Sequence, residues 1–203
     1  MDTMNLTLFF MMGLGLGITH AFDPDHLAAV GAVSAGDGNQ HSSYSDYAIR
    51  WSLGHGGALG FVAIIVFVFG SAIPEGVSEF AERSVAFLLV ALGAAALWRN
   101  FSQKYTLKNY AKKSAGIVGL IHGTAGSAPL LALIPLGMTE SPFVGLLYVA
   151  FFSAGVGLAM VALGKGLTAT LHFCGDYQAI SQRIASIGFA TFSILLGFYL
   201  LYF

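Results

Sequence analysis

Six apolar stretches, each near the ~20 residues that a helix needs to cross a bilayer, constrain this chain more than any other feature. They run over Asn5–Ala35, Trp51–Ile73, Ser84–Phe101, Ala115–Gly137, Phe143–Gly164 and Ile184–Phe203, the third being the shortest. Their apolar residues lie all round the helix, with Gly and Ala threaded through, which suits close helix–helix approach in lipid. Charge is correspondingly scarce: 9% of residues are charged, against roughly 25% in a soluble domain. The longest polar interval, after Trp98, is too short for a soluble domain. The expectation is an all-α polytopic membrane protein with about six transmembrane helices, residues 1–203 forming a single transmembrane domain. No Lys or Arg precedes Arg50, so the first stretch lacks a signal peptide's basic region and is expected to remain as a span.

Within that apolar background, His20-Ala-Phe-Asp-Pro-Asp-His26 stands apart. Ionisable groups at such depth are costly, and their default reading is a functional site facing a polar interior. Imidazole with carboxylate suits a divalent transition metal better than Ca²⁺ or Mg²⁺, which prefer oxygen shells. On a straight helix His20, Asp23 and His26 share a face, while Asp25 points roughly 140° away from His20. Pro24 lacks an N–H and its ring clashes with the carbonyl of His20. A break there would free that carbonyl and swing Asp25 inward, as in the discontinuous helices where transporters place ion sites.

Two motifs carry a family resemblance. His20, Asp25 and His26 match an H-x4-D-H signature, and Ser52-Leu53-Gly54-His55 forms a Ser-Leu-Gly-His run on the next span. Both resemble motifs of the nickel/cobalt permease family, over the first two spans, with weaker similarity beyond. The resemblance implies a permease in which His20, Asp25, His26 and His55 bind Ni²⁺ or Co²⁺. The chain departs from the family at Pro24, where a small residue such as alanine is usual. It departs again at Ile121-His122-Gly123-Thr124-Ala125-Gly126-Ser127-Ala128, which replaces an acidic motif. It is also shorter than the eight-helix members, and so is more similar to the compact, urease-accessory-type branch. Asp23, His122, Ser52, Thr124 and Ser127 are candidates for additional or supporting roles at the metal.

Basic residues set an orientation. Arg50, Arg99, Lys104, Lys108, Lys112, Lys113, Lys165 and Arg183 fall on one side and only Arg83 on the other, which predicts both termini outside. Lys104, Lys108 and Lys112, interleaved with Tyr105 and Tyr110, read as a short interfacial helix on the inner leaflet. With this orientation His26, His55 and His122 fall at one level of the membrane, His55 and His122 flanked by glycines. His41 and His172 read as solvated. A faint echo relates Gly17-x-x-His20 to Gly119-x-x-His122, and Ser52-x-Gly54-x-Gly56 to Ser153-x-Gly155-x-Gly157. If these are half-repeats, 1–102 and 114–203, three spans per half would invert one half in the membrane, and Val156 would stand where the first half has His55.

These features bound the function. The single cysteine, Cys174, excludes an intramolecular disulfide and a Cys-rich metal centre. A net charge of −1 gives no field that would draw nucleic acid, and no G-x-x-x-x-G-K-[ST] nucleotide site is present. Expected partners are a divalent metal ion as cargo and the lipid bilayer, with no catalytic cofactor; a homo-oligomer is left open. The leading expectation is a permease of a prokaryotic cell membrane, for Ni²⁺ first and Co²⁺ next, taking up the ion under potential or a gradient. The alternatives are an exporter of the same metals, an intramembrane metallohydrolase with Asp23 or Asp25 as base, and a scaffold subunit, for which buried charges bring no gain.

Overall fold

A computed structural model of the chain describes residues 6–34, 40–69, 75–102, 108–125, 139, 141–173 and 175–202. These form seven α-helices: α1 Leu6–His20, α2 Pro24–Ser34, α3 Gln40–Phe69, α4 Glu75–Phe101, α5 Lys108–Gly123, α6 Pro142–Phe173 and α7 Gln178–Tyr202. A 3₁₀ turn, Gly175–Tyr177, precedes α7. Gly175 adopts φ 51°, a left-handed position that glycine takes at no steric cost where the chain leaves α6. Among the described residues there is no strand.

Among the described residues, four helical segments are long and apolar enough to cross a membrane: Asp46–Phe67, Glu75–Phe101, Pro142–Leu167 and Gln178–Tyr202. The pair α1–α2, bent by 57°, makes a fifth if counted as one broken span. The expected span Ala115–Gly137 is described only through Ala125, as the apolar end of α5, and the rest lies outside the described residues. So do Cys174, Ser127, and the Lys104 and Tyr105 part of the expected interfacial helix. The expected third span is longer than its apolar window. Residues Glu75, Glu79, Glu82 and Arg83 belong to the same helix as Ser84–Phe101, which reaches 27 residues, because charged turns continue a helix beyond the hydrocarbon layer.

The surface has the reverse of a soluble protein's pattern. Leu53, Phe61, Phe80, Phe87, Trp98 and Leu195 are exposed, whereas His20, His26, His55 and His122 are 0–4% exposed. Exposed apolar side chains on that scale suit a lipid environment. Inside, α3 lies against α5 and α6, α1 against α6, α4 against α7, and α2 bridges α7 and α4. Glycine permits these approaches: a Cβ at Gly54 would strike the Gly116 carbonyl, and one at Gly17 the Phe152 carbonyl. Between the helices, Ser193 Oγ donates to the Leu89 carbonyl at 2.8 Å, and Asn100 Nδ2 to Ser186 Oγ at 2.7 Å. The Arg99 guanidinium donates to the Ala32 carbonyl at 3.0 Å, holding the end of α2 against α4.

Candidate metal centre

The break at Pro24 builds the site. Helix α1 stops at His20, and the chain passes through Ala21, Phe22 and Asp23 before α2 begins with Pro24. The His20 carbonyl is not freed by the proline, as the sequence suggested; it accepts from the Asp23 N–H at 3.0 Å. The clash is removed because the helix has already ended. Asp23 occupies the N-cap position of α2, and its carbonyl accepts from the N–H groups of His26 (3.1 Å) and Leu27 (3.2 Å). Aspartate at the cap and proline at the first helical position are both favoured, since proline's missing N–H would have been unpaired there anyway.

The 57° bend folds His26 back over His20. Their rings meet edge-on with centroids 4.6 Å apart. From α3, His55 reaches the same point, 5.6 Å from His20 and 5.2 Å from His26. One ligand nitrogen from each of the three lies within 4.8 Å of the others. With metal–nitrogen bonds of about 2.1 Å, two imidazoles on one ion have ring centres roughly 4.5–5.2 Å apart. The three rings are thus within a few tenths of an ångström of that spacing.

Hydrogen bonding leaves donor atoms available. Neither nitrogen of His55 has a protein partner, and Nδ1 of His26 has none. Such groups at under 2% exposure cost free energy unless something else satisfies them. The His20 Nδ1–H donates to Asp23 Oδ2 at 2.8 Å, which fixes the ring and turns Nε2 toward the cluster, the arrangement usual for a metal-binding histidine. Asp25 Oδ2 stands 3.9 Å from His26 Nε2, too far for a hydrogen bond but close enough to place its charge beside the ring.

The other candidates are placed as follows. His122 is buried on α5, its ring 5.9 Å from His26; its Nδ1–H donates to the Val118 carbonyl at 2.9 Å, and Nε2 has no protein partner. The Thr124 hydroxyl donates to the Ile121 carbonyl at 2.8 Å and so serves the end of α5. Ser52 lines a cleft of about 660 Å³ between α3 and α6, opposite Ser153. The side chains of His41 and His172 lie outside the described set.

Sequence reading missed Trp51. Its indole stacks on His55 (4.9 Å, 23°), meets His26 edge-on at 4.9 Å and lies 5.8 Å from His122. It is one helical turn before His55, the only signal available in the sequence. Phe152 likewise covers His20 at 5.4 Å. These aromatic walls close the cluster on two sides.

The profile of the NicO family, described as high-affinity nickel-transport protein, matches residues 6–129. Urease accessory protein UreH of Bacillus sp. (strain TB-90) is 29% identical over 177 residues, covering 80% of this chain and 77% of the relative. No solved structure matches.

Proposed function

Because the chain belongs to the high-affinity nickel-transport protein family, and is a nickel permease rather than an enzyme, we propose that His20, His26 and His55, with the Asp25 carboxylate, are the station where the ion pauses. The observation that carries this reading is the buried trio of imidazoles in which both nitrogens of His55 and Nδ1 of His26 lack a hydrogen-bond partner. Imidazoles avoid the cost of burying a fixed charge, and they supply three strong donors to a borderline metal ion. Asp23 orients His20, and Asp25 offsets part of the charge of a dication that would otherwise be isolated in low dielectric.

The affinity order places Ni²⁺ modestly above Co²⁺ on nitrogen donors, and we assign both as cargo in that order. Transport runs inward in this reading. A divalent cation entering a cell gains about 4.6 kcal/mol per 100 mV of potential, over three decades of accumulation. In this reading the membrane is a prokaryotic cell membrane and both termini lie outside, the orientation that the distribution of basic residues favours. The test is radionickel flux into liposomes of purified protein with an imposed potential, beside calorimetric titration of Ni²⁺. Potential-driven uptake that is lost in His26→Ala and His55→Ala is the expected result; wild-type binding and flux in both would refute the assignment.

A further inference from the structure

The helix contacts repeat in a register that pairs the two halves. Gly17 of α1 rests on the Phe152 carbonyl of α6, and Gly119 of α5 rests on the Trp51 carbonyl of α3. Gly155 of α6 meets the Leu14 carbonyl of α1, and Gly54 of α3 meets the Gly116 carbonyl of α5. Where α3 and α6 touch, Gly56 faces Ser153 and Gly157 faces Ser52. Between α4 and α7, a Cβ on Gly93 would be 2.5 Å from the Ala190 carbonyl, and one on Gly197 would be 2.7 Å from that of Ala86. Exchanging α1 with α5, α3 with α6 and α4 with α7 reproduces every one of these contacts.

Ring contacts obey the same exchange. Phe152 lies 5.4 Å from His20, and its counterpart Trp51 lies 5.8 Å from His122. Tyr148 and Tyr47 also correspond; both are buried, with hydroxyls that have no protein partner. Gly13 on Tyr148 followed by Gly17 on Phe152 sets α1 parallel to α6, Gly119 on Trp51 followed by Gly123 on His55 sets α5 parallel to α3, and Gly56 on Ser153 with Gly157 on Ser52 sets α3 antiparallel to α6. Counterparts are therefore opposed in direction, the relation that lets a transporter reach its opposite-facing state when the halves trade conformations.

Under this exchange His20 becomes His122. Each sits in the last turn of its helix, and each has its Nδ1–H directed to a local oxygen, which leaves Nε2 as the nitrogen to offer a metal. His55, by contrast, becomes Val156, which cannot coordinate. His26 lies between the two exchangeable rings, 4.6 Å from His20 and 5.9 Å from His122. We propose that His20 and His122 are alternate ligands: nickel is held by His20, His26 and His55 in the present conformation, and by His122, His26 and His55 in the opposite-facing one. The ion then moves by exchange of one imidazole while two remain bound, and never stands uncoordinated between the halves. This rests on the reading of His26 and His55 as nickel ligands.

The test separates binding from turnover. In His122→Gln, whose amide can still donate to the Val118 carbonyl, Ni²⁺ affinity should fall by no more than about threefold while radionickel flux falls at least about tenfold. His20→Ala should lose both. His122→Cys should recover flux and, when loaded, show a thiolate-to-nickel charge-transfer absorption absent from the wild type and from His122→Gln. A purely structural His122 predicts wild-type flux in His122→Gln and no such band in His122→Cys, and either result overturns the proposal. So does an affinity loss in His122→Gln equal to that in His20→Ala, since His122 would then belong to the same ligand set. Wild-type affinity in His26→Ala and His55→Ala is a different failure, that of the underlying nickel site.

Discussion

Asp23→Asn isolates one contact at the site. Asparagine is as good an N-cap as aspartate, so α2 keeps its start and the bend keeps its geometry. What changes is the charge of the group that accepts from His20 Nδ1–H at 2.8 Å, because the amide oxygen still accepts but carries no charge. Mutating the partner that orients a metal-binding histidine costs about 10–100-fold in affinity, or roughly 1.4–2.7 kcal/mol. The Asp23 side chain retains 36% of its surface, and solvent screening puts the expected loss at the lower end, about tenfold. Asp23→Ala should add about 0.5–2 kcal/mol of lost stability through the missing cap. Calorimetric titration of Ni²⁺ into the two variants, with a thermal melt of each apo-protein, measures both effects. An Asp23→Asn affinity within about twofold of wild type, at unchanged stability, would refute the orienting role.

Asp25→Asn should lose both binding and transport, because the uncompensated charge of the bound dication rises; flux assays with the Asp23 variant alongside give the comparison. Pro24→Ala should keep Ni²⁺ affinity and reduce flux, since the cap at Asp23 still begins α2, while the lost backbone restraint costs about 0.4–1 kcal/mol of stability; matched titration and flux would check it. Gly119→Ala should destabilise by about 1–3 kcal/mol through overpacking, because its Cβ would meet the Trp51 carbonyl; the shifted indole should appear as altered tryptophan fluorescence. Cysteines placed at Lys108 and Glu79 should differ in intact cells, with an impermeant thiol label reaching only the Glu79 position. The reverse pattern would overturn the orientation.

The membrane class, the helix break and the converging histidines were all legible in the sequence. Apolar runs of that length suit lipid and little else, and ionisable groups set inside them are too costly to keep without a task. How the break is made was harder to read. The clash of Pro24 with the His20 carbonyl is a correct local argument, but the N-cap at Asp23 ends the first helix before that clash arises. The full extent of α4 was hidden because Glu75, Glu79 and Glu82 fall outside any apolar window while continuing the helix. Trp51 was hidden for another reason. Nothing in a sequence says that an indole one turn from a histidine will lie on three imidazoles from separate helices. The echo between halves was a few glycines in the sequence, and only the carbonyls those glycines touch give it a register.

The pairing of α1 with α6 also bears on how the protein is made. Phe9 packs on Tyr148 at 4.9 Å and His20 on Phe152, so α1 has its principal neighbour in a helix that is made well after it, beyond α5. Chains emerge from the ribosome N-terminus first, and the three imidazoles of the proposed station are all complete once α3 has emerged. Until α6 arrives, that cluster has no wall on the Phe152 side. The interval between the two is a stage in biogenesis when the proposed donor set faces lipid or an insertion factor rather than its own protein. A chain arrested after α5 would carry every histidine of the site, yet would lack the partner that seats α1.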